Sequence, residues 1–143
     1  MKSWKFYADY IKEHPPYSGI HDKTQSKSQR KKMRKFKRKY GFEYSDTWNF
    51  DYTISAFILP RIAFLRDHHY GHPTRLCKFA EDGYTVLNSE EADKEWTEIL
   101  NTIVEGLYLY ISTDIATHFT PEQEETWKKA RTYLMEYWEN LWD

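Results

Sequence analysis

The sequence predicts a mainly α fold: a compact bundle of three long helices with shorter N-terminal helices and a small β-hairpin. Apolar residues recur at three- and four-residue spacing through 46–69, 89–116 and 120–142, the signature of helix faces. Strong helix punctuation flanks these runs, with Gly41 after a basic helical segment and Thr120-Pro121-Glu122-Gln123 before the last one. Only 76–87 reads otherwise, with β-like residues on both sides of Asp82-Gly83. At 143 residues the chain suits a single domain, 1–143, divided into a basic N-terminal arm (1–40) and a helical core (41–143).

Residues 3–13 fit a short amphipathic helix carrying Trp4, Tyr7, Tyr10 and Ile11 on one face, ended by His14-Pro15-Pro16. A polar loop follows over 17–25. Residues 26–40 are good helix formers with a thin stripe of Met33, Phe36 and Tyr40, and Gly41 is the natural stop.

The run 46–66 is the longest strongly apolar stretch. Ser45 or Asp46 is the expected cap. Ile54, Ile58, Ile62 and Leu65 form one face, widened by Trp48, Tyr52 and Phe57. A helix apolar on most sides belongs at the centre of a bundle. Its charged residues and crowded aromatics argue against a membrane span. Pro60 should bend it, since proline offers no amide to the carbonyl of Ala56. Asp51 is either a first-turn carboxylate favoured by the helix dipole or an anchor to another helix or a ligand. Arg61 stands too far along the helix to pair with it.

The next helix opens with Glu90 and Glu91 and carries Trp96, Leu100, Val104, Leu107 and Ile111 towards Ile115. Gly106 inside it implies close helix packing. The last helix starts from a Thr120/Gln123 capping box and presents Trp127, Ala130, Leu134 and Leu141, with Tyr133 and Trp142 broadening the face.

Net charge is −1, yet the average conceals a split. Of 21 Lys and Arg, nine fall within 27–39, which holds no acid. The other 12 face all 22 acids, a net of −10. Such polarity on a small protein steers partners. The anion-binding candidates are Arg30, Lys31, Lys32, Arg34, Lys35, Lys37 and Arg38. Against phosphates each neutralised charge would release counterions, and nothing nearby reads bases, so nucleic-acid binding there would be non-specific. Asp51 and Arg61 are further ligand or anchor candidates.

His68, His69 and His72, with Asp67 and Cys77, have the donor chemistry of a zinc site but no standard ligand spacing, so no metal and no cofactor is expected. No Gly-rich phosphate loop or nucleophile motif occurs. An enzyme stays open, because catalytic residues need not form a motif, but the reading favours none. One cysteine excludes an internal disulfide, and the absence of an apolar leader points to a cytoplasmic protein.

Tyr40-Gly41-Phe42, Asp46-Thr47-Trp48, Asp51-Tyr52-Thr53-Ile54 and Phe57-Ile58-Leu59-Pro60-Arg61, followed by Glu95-Trp96 and the aromatic C-terminal region, resemble a family of small uncharacterised bacteriophage proteins. The resemblance runs from Tyr40 onward, and 77–88 departs from it as an insertion would. It implies a phage origin, and hence the cytoplasm of an infected bacterial host, but no reaction. The expectation is a non-enzymatic binding protein engaging a polyanion, nucleic acid or other host macromolecule, in the service of counter-defence, with an aromatic surface open to homo-oligomer formation. The alternatives are a protein that sequesters a small anionic nucleotide and a metal-dependent enzyme using the His68/His69/His72 cluster.

Overall fold

The computed structural model describes residues 1–113 and 118–141. Five α-helices account for most of them: α1 (Trp4–Glu13), α2 (Lys27–Tyr40), α3 (Phe50–His68), α4 (Ser89–Ser112) and α5 (Pro121–Glu136). Short 3-10 turns cover Tyr44–Thr47, Thr74–Leu76 and Trp138–Asn140. No helix among the described residues is long and apolar enough to cross a membrane.

The centre is α4. It packs against α5 on one side and α3 on the other, while α1 lies on α3. Its stripe of Trp96, Leu100, Ile103, Val104 and Leu107 is fully buried. Burying each such large side chain contributes about 1.5–3 kcal/mol. Leu59, Ile62 and Ala63 from α3, Tyr7 from α1 and Tyr137 after α5 complete the core. Tyr110 links three helices at once. Its ring stacks on Trp127 of α5 at 4.6 Å, and its hydroxyl donates to the Asp51 carboxylate at the start of α3.

α3 is packed between α1 and α4 but is less buried than α4. Its buried residues are Ser55, Ala56, Leu59, Ile62, Ala63 and Arg66. Of the expected face, Ile62 is in the core and Ile58 and Leu65 pack against it, whereas Ile54 is exposed, as are Phe50, Phe57 and Phe64. Small residues at 55, 56 and 63 are buried beside Leu59 and Ile62 and let α3 approach its neighbours closely. The expected Ser45 or Asp46 cap also differs. Asp46 accepts from the Glu43 amide (2.8 Å) within the 3-10 turn, and α3 begins later, after Asn49. The helix runs on through Pro60.

Arg66 is the least expected core residue. Its side chain is fully buried, with Nε donating to Asp67 Oδ1 (2.8 Å), one terminal nitrogen to Asn101 Oδ1 (2.9 Å) and the other to the Lys2 carbonyl (2.5 Å). Asp67 in turn accepts from the amide of Trp4 (2.8 Å), the first residue of α1. One ion pair thereby fixes α1, α3 and α4 together. Burial raises the pKa of the adjacent Tyr7 hydroxyl, and Arg66 opposes the rise.

The β-hairpin does not form. Among the described residues there is no strand, only an isolated antiparallel bridge between Phe79 and Val86. The Asp82 carboxylate accepts from the amides of Tyr84 and Thr85 and from the Thr85 hydroxyl, which holds its pKa down at about 2. Asn88 takes the Lys78 amide and gives to the Leu76 carbonyl. Side chains thus satisfy backbone groups that a ladder would have used.

The Thr120/Gln123 capping box forms as expected, and α2 gains a second one between Ser26 and Gln29. The last α-helix stops at Glu136 rather than continuing to 142, with a 3-10 turn beyond it. α4 stops at Ser112 short of the expected 116, because Thr113 turns to an extended conformation; the docking of Trp142 lies outside the described residues.

Two substitutions test this architecture. A Cβ on Gly106 would stand 2.1 Å from the Cβ of Ala130. Gly106→Ala should therefore destabilise the chain by about 1–3 kcal/mol despite alanine's better helix propensity, read as a lower melting temperature by circular dichroism. Arg66→Ala strands Asp67 and leaves a polar void, and should cost about 3–5 kcal/mol in urea unfolding.

Candidate anion interface

The arm helix α2 stands apart from this core. None of its residues is buried. It leans on the 3-10 turn Tyr44–Thr47, and Met33 rests on Gly19, where a Cβ would come within 2.8 Å of the Met33 sulfur. Two further contacts hold it. Phe36 meets Phe42 edge-on at 5.5 Å, and Lys37 pairs with Glu43 at 3.0 Å.

Glu43 is a buried carboxylate in a polar nest. It accepts from Lys37, from the Ser18 hydroxyl (2.5 Å) and at longer range from Ser45 (3.4 Å). Burial alone would raise its pKa. The bonds from Ser18 and Lys37, with the charge of Lys37, outweigh burial and hold the carboxyl below its ordinary range.

Helical spacing places Lys31, Arg34 and Arg38 on one face, with Lys37 at its edge. These four cations line a groove of about 340 Å³ whose apolar wall is Ile20. No acid lines it. Among the described residues, Lys37 is the only one of the nine basic side chains of 27–39 to form an ion pair. The other candidates disperse. Arg30 is half-buried near Asp22, whereas Lys32 and Lys35 are exposed and do not line the groove. A second cleft, about 520 Å³ between α4 and α5, mixes Glu91, Glu95 and Glu98 with Lys94 and Lys129 and so has no comparable excess of one sign.

Sequence reasoning found the cations but missed what surrounds them. Tyr17, Tyr40, Phe42, Tyr44 and Trp48 are each 41–56% exposed, and ring contacts link them through Phe36. The crowding of aromatics over 40–48 was the available signal.

The remaining candidates lie elsewhere. Asp51 anchors α3 to α4 through Tyr110; that bond holds its pKa down, while burial and the same carboxylate push the Tyr110 hydroxyl up to about 12. Arg61 folds back over the Phe57 ring at 3.7 Å and donates to the Phe57 carbonyl, away from Asp51. The histidines turn to different partners: His68 donates to the Phe64 carbonyl, His69 contacts Gly71 and Thr97, and His72 meets Asp93 at 2.6 Å. Among the described residues no three His, Cys, Asp or Glu side chains converge as metal ligands would.

Comparison with protein-family models, curated proteins and solved structures found no match. The likeness to phage proteins therefore rests on the quoted motif alone.

The Glu43 nest makes the seat of α2 sensitive to acid. A carboxyl whose pKa is lowered by folding adds stability that is complete above its ordinary value of 4.5 and is lost as pH falls through the lowered one. Amide NMR signals of 27–40 should shift below that range. Glu43→Gln should reproduce the acid spectrum at neutral pH and remove the transition.

Proposed function

We propose that the chain is a non-enzymatic, phage-encoded binding protein that engages a polyanion or host macromolecule through the basic face of α2, acting against a host defence in the host cytoplasm. The observation that carries this reading is the groove bounded by Lys31, Arg34, Lys37 and Arg38, where Glu43 answers only one of the four charges. Unpaired cations on a shared face gain by releasing the counterions of a phosphate polymer. Among the described residues the arm's one ion pair with the acidic remainder is Lys37–Glu43, with Arg30 near Asp22, which supports a partner for the other charges. The phage context comes from the motif resemblance, and self-association through exposed aromatics belongs to the same reading.

A second reading has its own support. The groove's volume falls within the usual range of small-ligand sites, and its apolar wall with flanking cations suits a small anionic nucleotide. A nucleotide should then bind at a saturable one-to-one stoichiometry by calorimetry.

The polyanion reading is tested by fluorescence anisotropy with inorganic polyphosphate and labelled oligonucleotides at rising salt. Three or four phosphate contacts give a log–log slope of about −2 to −3 with single strands. The triple variant Lys31→Glu, Arg34→Glu, Arg38→Glu spares the Lys37 tether. It should weaken binding roughly tenfold or more while leaving the helical spectrum unchanged. A salt-independent signal would remove the reading.

A further inference from the structure

We propose that the interface takes single-stranded nucleic acid, with phosphates on the α2 groove and bases stacked on the aromatic row that runs from Phe36 through Tyr44 to Trp48. This rests on the polyanion reading above and names the polymer.

The row is continuous. Tyr17 stacks on Trp48 at 5.5 Å and 15°, Tyr44 meets Trp48 edge-on at 5.9 Å, and Phe36 meets Tyr44 edge-on at 6.2 Å. Phe36 lies on α2 one turn from Lys32 and Lys39 and about half a turn round the helix from Lys31, Arg34 and Arg38, so cations flank the rings on their own side and a strand reaches the groove by crossing the helix. Trp48 is 52% exposed although Tyr17 already covers one of its faces, which leaves indole surface for another flat ring. Tyr40 extends the patch, with the Lys39 ammonium 4.9 Å from its ring centroid.

Linked exposed rings have a solvation cost that an isolated monomer has no reason to bear. Beside a row of cations, the occupant that satisfies both features is a chain of phosphates bearing flat apolar faces. A duplex keeps those faces inside its stack. Only a single strand can splay its bases onto side chains, and stacking of this kind is tolerant of sequence. That tolerance agrees with the lack of base-reading side chains among the cations of α2.

The test compares four probes with the intact chain by anisotropy: oligodeoxyuridylate and oligouridylate of about a dozen nucleotides, a DNA duplex of the same length, and inorganic polyphosphate. The expected order is either single strand well ahead of duplex and polyphosphate, and the favoured sugar identifies the strand as DNA or RNA. Trp48→Ala and Tyr44→Ala should each weaken single-strand binding about five- to a hundredfold while leaving polyphosphate affinity unchanged. Trp48→Phe, which restores a ring, should recover most of the loss. If duplex and polyphosphate bind as tightly as the single strands, or Trp48→Ala is silent, base stacking is overturned and the polyanion reading stands. If no probe binds, both fall.

Discussion

The buried Arg66 is the constraint on which the bundle's geometry depends. A guanidinium removed from water must have its donors satisfied, and here Asp67, Asn101 and the Lys2 carbonyl do so from three parts of the chain. Replacing such an ion by an apolar side chain is often tolerated, but breaking it is not. The hydrophobic stripe of α4 supplies most of the burial. Arg66 and Asp67 decide how α1 and α3 are set against it, since apolar packing alone is indifferent to small rotations of a helix. Once α3 has that orientation, its start lies where Asp51 reaches Tyr110. The preceding 3-10 turn then stands beside the loop that seats α2.

Charge is segregated across that seat. The core has excess acid and resolves much of it locally, through first-turn glutamates at α4 and α5 and pairs such as Arg75 with Glu136. The arm resolves almost none of its own. Glu43 is an exception made by geometry: its carboxylate is buried in a polar nest that already includes two serine hydroxyls, and Lys37 completes the set. Among the described residues the remaining cations form no ion pair, and Lys39 lies 4.9 Å from the Tyr40 ring centroid. The groove and the ring surface both depend on α2 being docked, because Phe36 and Lys37 fasten it to Phe42 and Glu43.

Helix positions were largely legible in the sequence, because period and punctuation are local properties. The stripe of α4 and the boxes at Thr120 and Gln123 are examples. Orientation was less legible. Ile58, Ile62 and Leu65 of α3 pack as their spacing implied, yet Ser55, Ala56 and Ala63 are buried as well, since close approach between helices rewards small side chains and hydropathy does not record it. Arg66 read as an interruption because burial of a charge depends on partners 35 and 64 residues away. The hairpin failed for a reason of the same kind. Asp82 and Asn88 offered the backbone nearer partners than a second strand could. At the candidate interface, cation density was plain from composition, whereas the Ile20 wall and the contact between Phe36 and Tyr44 required the tertiary fold.

That α2 buries none of its residues has an evolutionary consequence. Its outward positions are nearly free of packing demands, so charge can be gained, lost or shifted there at little cost to folding. The scaffold can thus stay fixed while the charge carried by the arm varies.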